Sequence, residues 1–264
     1  MILDAFRLSD RVALVTGSGR GIGRAIAVAF AEAGADVVCS ARTASEIEET
    51  AAQVRAHGRR ALALAGDVMD AAFLERLVAA ALEAFGRIDV LVNNAGGALP
   101  RAALALSERA FEKIVRFNLT SPFLLTKAVV PRMVETAGGG AVVNISSGAS
   151  TLAIGGMAAY GSAKAGLNQL TRILATEFAP KVRVNAIVVG QIDTPGASSV
   201  LSDEMKREAA ARIPLKRIGQ DSDIAACALY LASPAAAWVT GHAIAVDGGV
   251  GAGSVPTAFP IPPL

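Results

Sequence analysis

Short, almost wholly apolar runs alternate along this chain with longer stretches in which apolar residues return every three or four positions. The runs at residues 11–16 (RVALVT), 36–41, 60–65 and 88–93 predict the first four strands. Helical spacing between them predicts helices over 21–33, 44–57 and 70–85. A longer helical stretch covers 107–135, with Pro122 marking a kink or break inside it. The glycines at 138–140 turn the chain into a fifth strand over 141–146 (AVVNIS). A helix over 160–178, a strand over 182–189 and a short strand over 244–246 complete the pattern.

Strand and helix in alternation predict an α/β fold, a parallel sheet with helices on both faces. Nothing in the sequence reads as a linker or an internal repeat, so residues 1–250 form one domain. Residues 251–264, rich in Pro and Gly and ending in AFPIPPL, read as a tail outside it. Residues 195–212, small and polar, read as a mobile lid over a substrate.

Composition narrows the classes of partner. Of 264 residues, 53% are hydrophobic and 18% charged, enough apolar material for a large core and an intersubunit face. Lys and Arg are interleaved with Asp and Glu and the formal charge is +2, which gives no reason to expect nucleic acid. No apolar run has the ~18–20 residues of a membrane span. The first residues carry Asp4, Arg7 and Asp10, unlike a signal peptide, so a cytoplasmic location is expected. Cys39 and Cys227 sit in apolar patterns and read as reduced core residues. His57 and His242 have no spaced partner, so no metal is expected.

The strand at 11–16 runs directly into Gly17-Ser18-Gly19-Arg20-Gly21-Ile22-Gly23, and a helix follows. Glycine lets the backbone come close to a pyrophosphate, and the helix N-terminus offers unpaired N–H groups and the positive end of its dipole. The strand–turn–helix context separates this from a glycine turn without a ligand.

Two further blocks stand in order after it: Asn93-Asn94-Ala95-Gly96, then Tyr160-x-x-x-Lys164. Together with Thr16-Gly17-x-x-x-Gly21-x-Gly23 they resemble the short-chain dehydrogenase/reductase family over most of the chain, from about Leu8 to Gly249. The resemblance implies a seven-stranded single-domain Rossmann sheet, a homotetramer, and hydride transfer between a nicotinamide dinucleotide and a carbonyl or alcohol carbon. It also implies that Asp67 and Val68 border the adenine, and that Asn94, Ala95 and Gly96 line the cofactor. Gly190, Ile192 and Thr194 would hold the carboxamide, although Val189 stands where the family usually has proline.

In NAD-preferring relatives the second strand ends in an acidic residue that accepts from the ribose 2′-hydroxyl. Here Ala41 holds that position, followed by Arg42, and Arg20 stands before Gly21. Two guanidinium groups would suit a 2′-phosphate, so NADP(H) is expected, with NAD as the other possibility. The competing reading leaves one or both arginines as solvated surface residues.

Tyr160 and Lys164 lie one helical turn apart, about 6 Å along the axis. A free tyrosine titrates near pH 10, and bringing it to neutrality needs about 4 kcal/mol of phenolate stabilisation. Lys164 and a positive nicotinamide ring can provide that, making Tyr160 the acid/base. Ser147, thirteen residues upstream, matches the family's catalytic serine, with Ser146 as competitor. Asn118 matches the family asparagine that kinks its helix and holds a water beside the lysine. The alternative is a helix-breaking Asn without a chemical part.

Ala149, Leu152, Met157 and Gln191, with Ser147, are the candidate substrate contacts. Being mostly small or apolar and without an arginine cluster, they point to a hydrophobic small-molecule substrate. The Ile213-Pro214-Leu215-x-Arg217-x-Gly219-Gln220 block and the Asn93–Gly97 segment resemble bacterial 7α-hydroxysteroid dehydrogenases. The same blocks resemble 3-oxoacyl-acyl-carrier-protein reductases, the alternative. A non-catalytic NADP-binding sensor would be expected to lack Tyr160 or Lys164, and this chain has both.

Overall fold

The computed structural model describes residues 1–193 and 202–252. Its centre is a seven-stranded parallel sheet of order β3-β2-β1-β4-β5-β6-β7. The strands are β1 Val12–Thr16, β2 Asp36–Ala41, β3 Ala61–Ala65, β4 Val90–Asn93, β5 Gly140–Ile145, β6 Val182–Val189 and β7 Ala243–Val246. β1 and β4 pair directly, Leu14 opposite Leu91, so the chain reverses its direction of travel across the sheet at this point. Crevices for ligands form at such a switch, outside the carboxyl ends of the strands.

Continuous apolar strands need cover on both faces, and they have it. Ala13 and Val15 of β1 face one core with Ile26 and Phe30 of α1 (Gly21–Glu32), Ile47 and Val54 of α2 (Ala44–Ala56), and Ile224 and Leu231 of the 221–232 helix. Val12 and Leu14 face the other, with Leu77 of α3 (Ala71–Phe85), Leu125 and Met133 of α5 (Ser121–Ala137), and Leu174 of α6 (Ala158–Phe178). Each such fully buried side chain contributes about 1.5–3 kcal/mol of burial.

The predicted helix over 107–135 is interrupted. α4 (Glu108–Val115) passes through a π turn, Arg116–Thr120, before α5 begins. The Ser121 N–H reaches back to the Arg116 carbonyl, and the Ser121 hydroxyl donates to the same oxygen at 2.9 Å. Pro122 has no N–H, so the widened turn ends where an ordinary helical bond could not form.

Two later helices are α7 (Asp203–Arg212) and α8 (Asp221–Ala232). The expected lid falls partly on α7, which buries none of its residues, and residues 195–201 lie outside the described part. Ser202 caps α7, and Lys206 bonds both carboxylate oxygens of Asp193, at 2.9 and 3.0 Å. Of the expected tail, Gly251 and Ala252 belong to a 3-10 turn, Val250–Ala252, and residues 253–264 lie outside the described part. No helix among the described residues is long and apolar enough to cross a membrane, and none of their His, Cys, Asp and Glu residues cluster as a metal site.

Candidate active site

A cavity of about 540 Å³ opens at the carboxyl ends of β1, β2, β4, β5 and β6. Gly17, Gly19, Arg20, Gly21, Ile22 and Gly23 line one end, with Ala41, Arg42, Asp67 and Val68 beside them. Asn94, Ala95 and Gly96 form its middle, and Ser147, Tyr160, Lys164 and Gly190 the other end. Residues spread over most of the sequence thus meet on one surface.

The glycine turn is built for close approach. Gly17 and Gly21 have positive φ, and a Cβ on Gly23 would sit 2.2 Å from the Gly17 carbonyl oxygen. No side chain caps α1, so the N–H groups of its first turn are left for whatever occupies the cavity. Asn94 holds the turn in place, its Nδ2 donating to the carbonyls of Thr16 and Gly17 at 2.9 and 3.1 Å. This cradle fits a dinucleotide pyrophosphate.

Ser18 departs from the sequence expectation. Its side chain is fully buried and donates to the Ser40 carbonyl, its N–H bonds the same oxygen, and its own carbonyl accepts from Thr50. Ser18 therefore ties the turn to β2 and α2 and does not line the cavity.

At the other end, Ser147 follows β5 and caps the 3-10 turn Gly148–Ser150, accepting from the Ala149 N–H at 3.2 Å. Ser146 also lines the cavity, but its hydroxyl is turned toward the Lys164 carbonyl, at 3.4 Å. Burial pushes the Tyr160 phenol above its ordinary range, while the Ser147 hydroxyl bonded to it pulls the other way. Lys164 is 3% exposed and donates to the Ile145 carbonyl at 2.8 Å, its Nζ 5.7 Å from the Tyr160 ring centre. Burial alone brings Lys164 down to about 8. In the protein by itself, desolvation therefore sets the direction for Tyr160 against the pull of Ser147, and the expected lowering by Lys164 is not among its causes.

Asn118 sits fully buried in the π turn. Its side chain accepts from the Gly97 N–H at 2.8 Å and donates to the carbonyls of Gly97 and Ile114, both at 3.0 Å. Between Asn118 and Lys164 there is room only for glycine: a Cβ on Gly96 would lie 2.8 Å from Asn118 Oδ1 and 3.0 Å from Lys164 Nζ.

The expected substrate contacts do not converge. Ala149 is buried, and Leu152 and Met157 are half-buried outside the cavity lining. Gln191 and Ile192 line a second cleft, of about 560 Å³, with Pro214, Leu215 and Gly248. Beyond Gly190 the backbone bridges Ile192 to Gly219, which brings Gln191 into that second cleft. Thr194 lies outside the described residues. Val189, standing where the family usually has proline, extends the ladder with Val246, and the Gly190 N–H bonds the Val246 carbonyl at 3.0 Å.

Sequence reasoning missed several cavity residues, among them Thr43, Glu46, Gly66 and Phe117. It also missed a buried amide relay in which Asn93 donates to Thr126 and Asn144, and Asn144 to Thr171. That relay joins β4 and β5 to α5 and α6 directly beneath the site. Two adjacent strand-end asparagines, Asn93 and Asn144, were its available signal.

Residues 17–251 match a family model described as enoyl-(acyl carrier protein) reductase. An uncharacterized oxidoreductase of Mycobacterium tuberculosis (strain CDC 1551 / Oshkosh) is 48% identical over 251 residues, 95% of either chain. The 7α-hydroxysteroid dehydrogenase of Escherichia coli (strain K12) is 37% identical over 93% of this chain and 96% of its own length. A solved 7α-hydroxysteroid dehydrogenase, complexed with NADH and 7-oxo glycochenodeoxycholic acid, superimposes with a TM-score of 0.90 at 37% identity, covering 94% of this chain and 96% of that one. With this similarity along nearly its whole length, the chain belongs to the short-chain dehydrogenase/reductase family, as an oxidoreductase acting on CH–OH groups or their carbonyls with a nicotinamide dinucleotide.

Proposed function

We propose that the protein is an NADP(H)-dependent oxidoreductase for a hydrophobic carbonyl or secondary alcohol such as a hydroxysteroid. The observation that carries the reaction is the placement of Ser147, Tyr160 and Lys164 on the cavity wall that begins at the glycine turn.

The dinucleotide, when bound, supplies or accepts the hydride. Ser147 donates a hydrogen bond to the substrate oxygen, where negative charge develops in reduction. Tyr160 gives its proton to that oxygen, or takes it from the hydroxyl in oxidation. Lys164, held by the Ile145 carbonyl, returns a proton toward Tyr160. Asn118 has its side chain committed to Gly97 and Ile114, and the family resemblance implies that it holds a water that serves Lys164. Asp67 and Val68 border the adenine, and Gly190, Ile192 and Thr194 the carboxamide.

Preference for NADP(H) rests on Ala41 at the end of β2 and on Arg20 and Arg42 in the same wall. A homotetramer is in keeping with the apolar residues left at the surface of the single chain, Phe111 and Phe123, Ile173, and Trp238 just before β7. The free Cys39 and Cys227 suit a reducing cytoplasm. Hydrophobicity of the substrate rests on the small and apolar residues between Ser147 and Tyr160 in the sequence, Ala149, Leu152 and Met157, and not on the cavity lining.

The test is a panel of steroid ketones, an acetoacetyl thioester and sugar aldehydes, followed by NADPH absorbance. Turnover of a steroid ketone well above the others supports the reading. Preference for the thioester would replace it with acyl-carrier reduction.

A further inference from the structure

Four charged residues line the glycine-rich end of the cavity, Arg20, Arg42, Glu46 and Asp67, and the first three stand at the glycine turn and the end of β2. Glu46 fills the corner between the glycine turn and the end of β2. A Cβ on Gly19 would lie 3.0 Å from both Glu46 Cβ and Oε2, and 3.5 Å from the Ala41 Cβ. The Glu46 carboxylate is 4.0 Å from Arg20.

The backbone at Glu46 is held there by a clamp behind it. Arg24 donates to the Gly19 carbonyl and to the Glu46 carbonyl, the second at 3.2 Å, and its Nε bonds Thr50 at 3.1 Å. Thr50 in turn donates to the Ser18 and Glu46 carbonyls, at 2.8 and 3.1 Å. The first turn of α2 is thereby bolted to the glycine turn, and Glu46 cannot swing clear as a unit with its helix.

We propose that Glu46 is a cofactor-discriminating residue: it weakens binding of a dinucleotide bearing a 2′-phosphate and accepts a hydrogen bond from one bearing a free 2′-hydroxyl, so that the enzyme takes NAD(H) as well as NADP(H). The inference rests on reading Arg20 and Arg42 as the side chains that face the 2′-substituent. An anion in that corner draws on the charge of Arg20 and repels a phosphate, a device that acts on the difference between two ligands more than on either affinity. β2 ends in Ala41, and its one acid, Asp36, stands at the opposite end of the strand.

Calorimetric titration of the full chain with NADP⁺, NAD⁺, 2′,5′-ADP and ADP tests it without recourse to turnover. Glu46→Gln should raise the ratio of NADP⁺ to NAD⁺ affinity about tenfold and shift the 2′,5′-ADP to ADP ratio in the same direction. Arg20→Ala should cost NADP⁺ binding more in the Glu46→Gln background than in the wild type. A ratio within about twofold of wild type, or a shift toward NAD⁺, overturns the proposal. The wild-type ratio itself reports separately on NADP(H) preference, so a wild type favouring NAD⁺ would sink that reading while the Glu46→Gln shift still decides this one.

Discussion

Asn118 and Gly97 are joined in both directions, the side-chain amide accepting from the Gly97 N–H at 2.8 Å and donating to its carbonyl at 3.0 Å. The bond pair fastens the π turn to the loop after β4 and sets the wall against which Lys164 lies. Asn118→Ala would leave the half-buried Gly97 groups without these partners, a loss of about 1–3 kcal/mol. Thermal unfolding should show a corresponding fall in Tm, and kcat should drop more than KM rises, because the damage sits behind Lys164 and Gly96.

Tyr160→Phe removes the proton donor and little volume. Dinucleotide affinity measured by calorimetry should stay within about twofold, while kcat falls by at least about 10³-fold. Residual turnover within about tenfold of wild type would reassign the acid/base role.

The protein has only two tyrosines, Tyr160 and Tyr230, which makes the phenol itself observable. Ultraviolet titration of the free protein should place Tyr160 above the ordinary range, as its burial dictates. Adding the oxidised, positively charged dinucleotide should move that transition to lower pH, and Tyr160→Phe should abolish it. No movement on adding dinucleotide would mean that the positive ring does not reach the phenol.

Lys164 is brought down to about 8 by burial, whereas the unfolded chain keeps it near its usual value of 10.5. Between these values the unfolded state binds more protons, so this group makes stability rise with pH across about 8 to 10.5. At neutral pH the burial of its charge is a standing cost, of the order of 3 kcal/mol. Lys164→Met should therefore be inactive yet at least as stable at pH 7, and should lose the alkaline rise in Tm. A large destabilisation at pH 7 would show that the bond to Ile145 outweighs desolvation.

Ala41→Asp places a carboxylate at the end of β2, in the corner shared with Arg42. The ratio of kcat/KM for NADP(H) over NAD(H) should fall by about tenfold or more. An unchanged ratio would remove Ala41 and Arg42 from the account of cofactor choice.

Much of this architecture is legible from residue order because the strands are buried on both faces and so read as unbroken apolar runs. Tyr160 and Lys164 are legible for a different reason, since one helical turn fixes their spacing whatever surrounds them. α8 went unread because its sequence, DSDIAACALYLA, is apolar on nearly every side after its first turn and shows little periodic contrast. The π turn was visible only as a kink at Asn118 or Pro122, for nothing in Arg116–Thr120 announces one extra residue in a helical turn. Glu46 was hidden because, on an amphipathic helix, an acid three residues from the start reads as a solvated cap. Its approach to Gly19 is fixed by bonds from Arg24 and Thr50 that sequence does not announce. Gln191 was misplaced because spacing says how far the chain runs after β6 but not which way it turns.

The pairing of β1 with β4 carries a consequence for how the molecule is made. A chain emerging in order has supplied the lining of the glycine-rich end once β3 is made, apart from Asn94, although α1 gains its cover only when Ile224 and Leu231 of α8 follow. The opposite end must wait for β5, then Tyr160 and Lys164, and finally Gly190, which reaches the cavity wall only when β6 has added to the growing edge. The first half of the pocket is thus synthesised long before the half that does chemistry, and a ribosome-bound chain stalled short of residue 160 would carry the residues of the cradle without its acid and without the α8 cover.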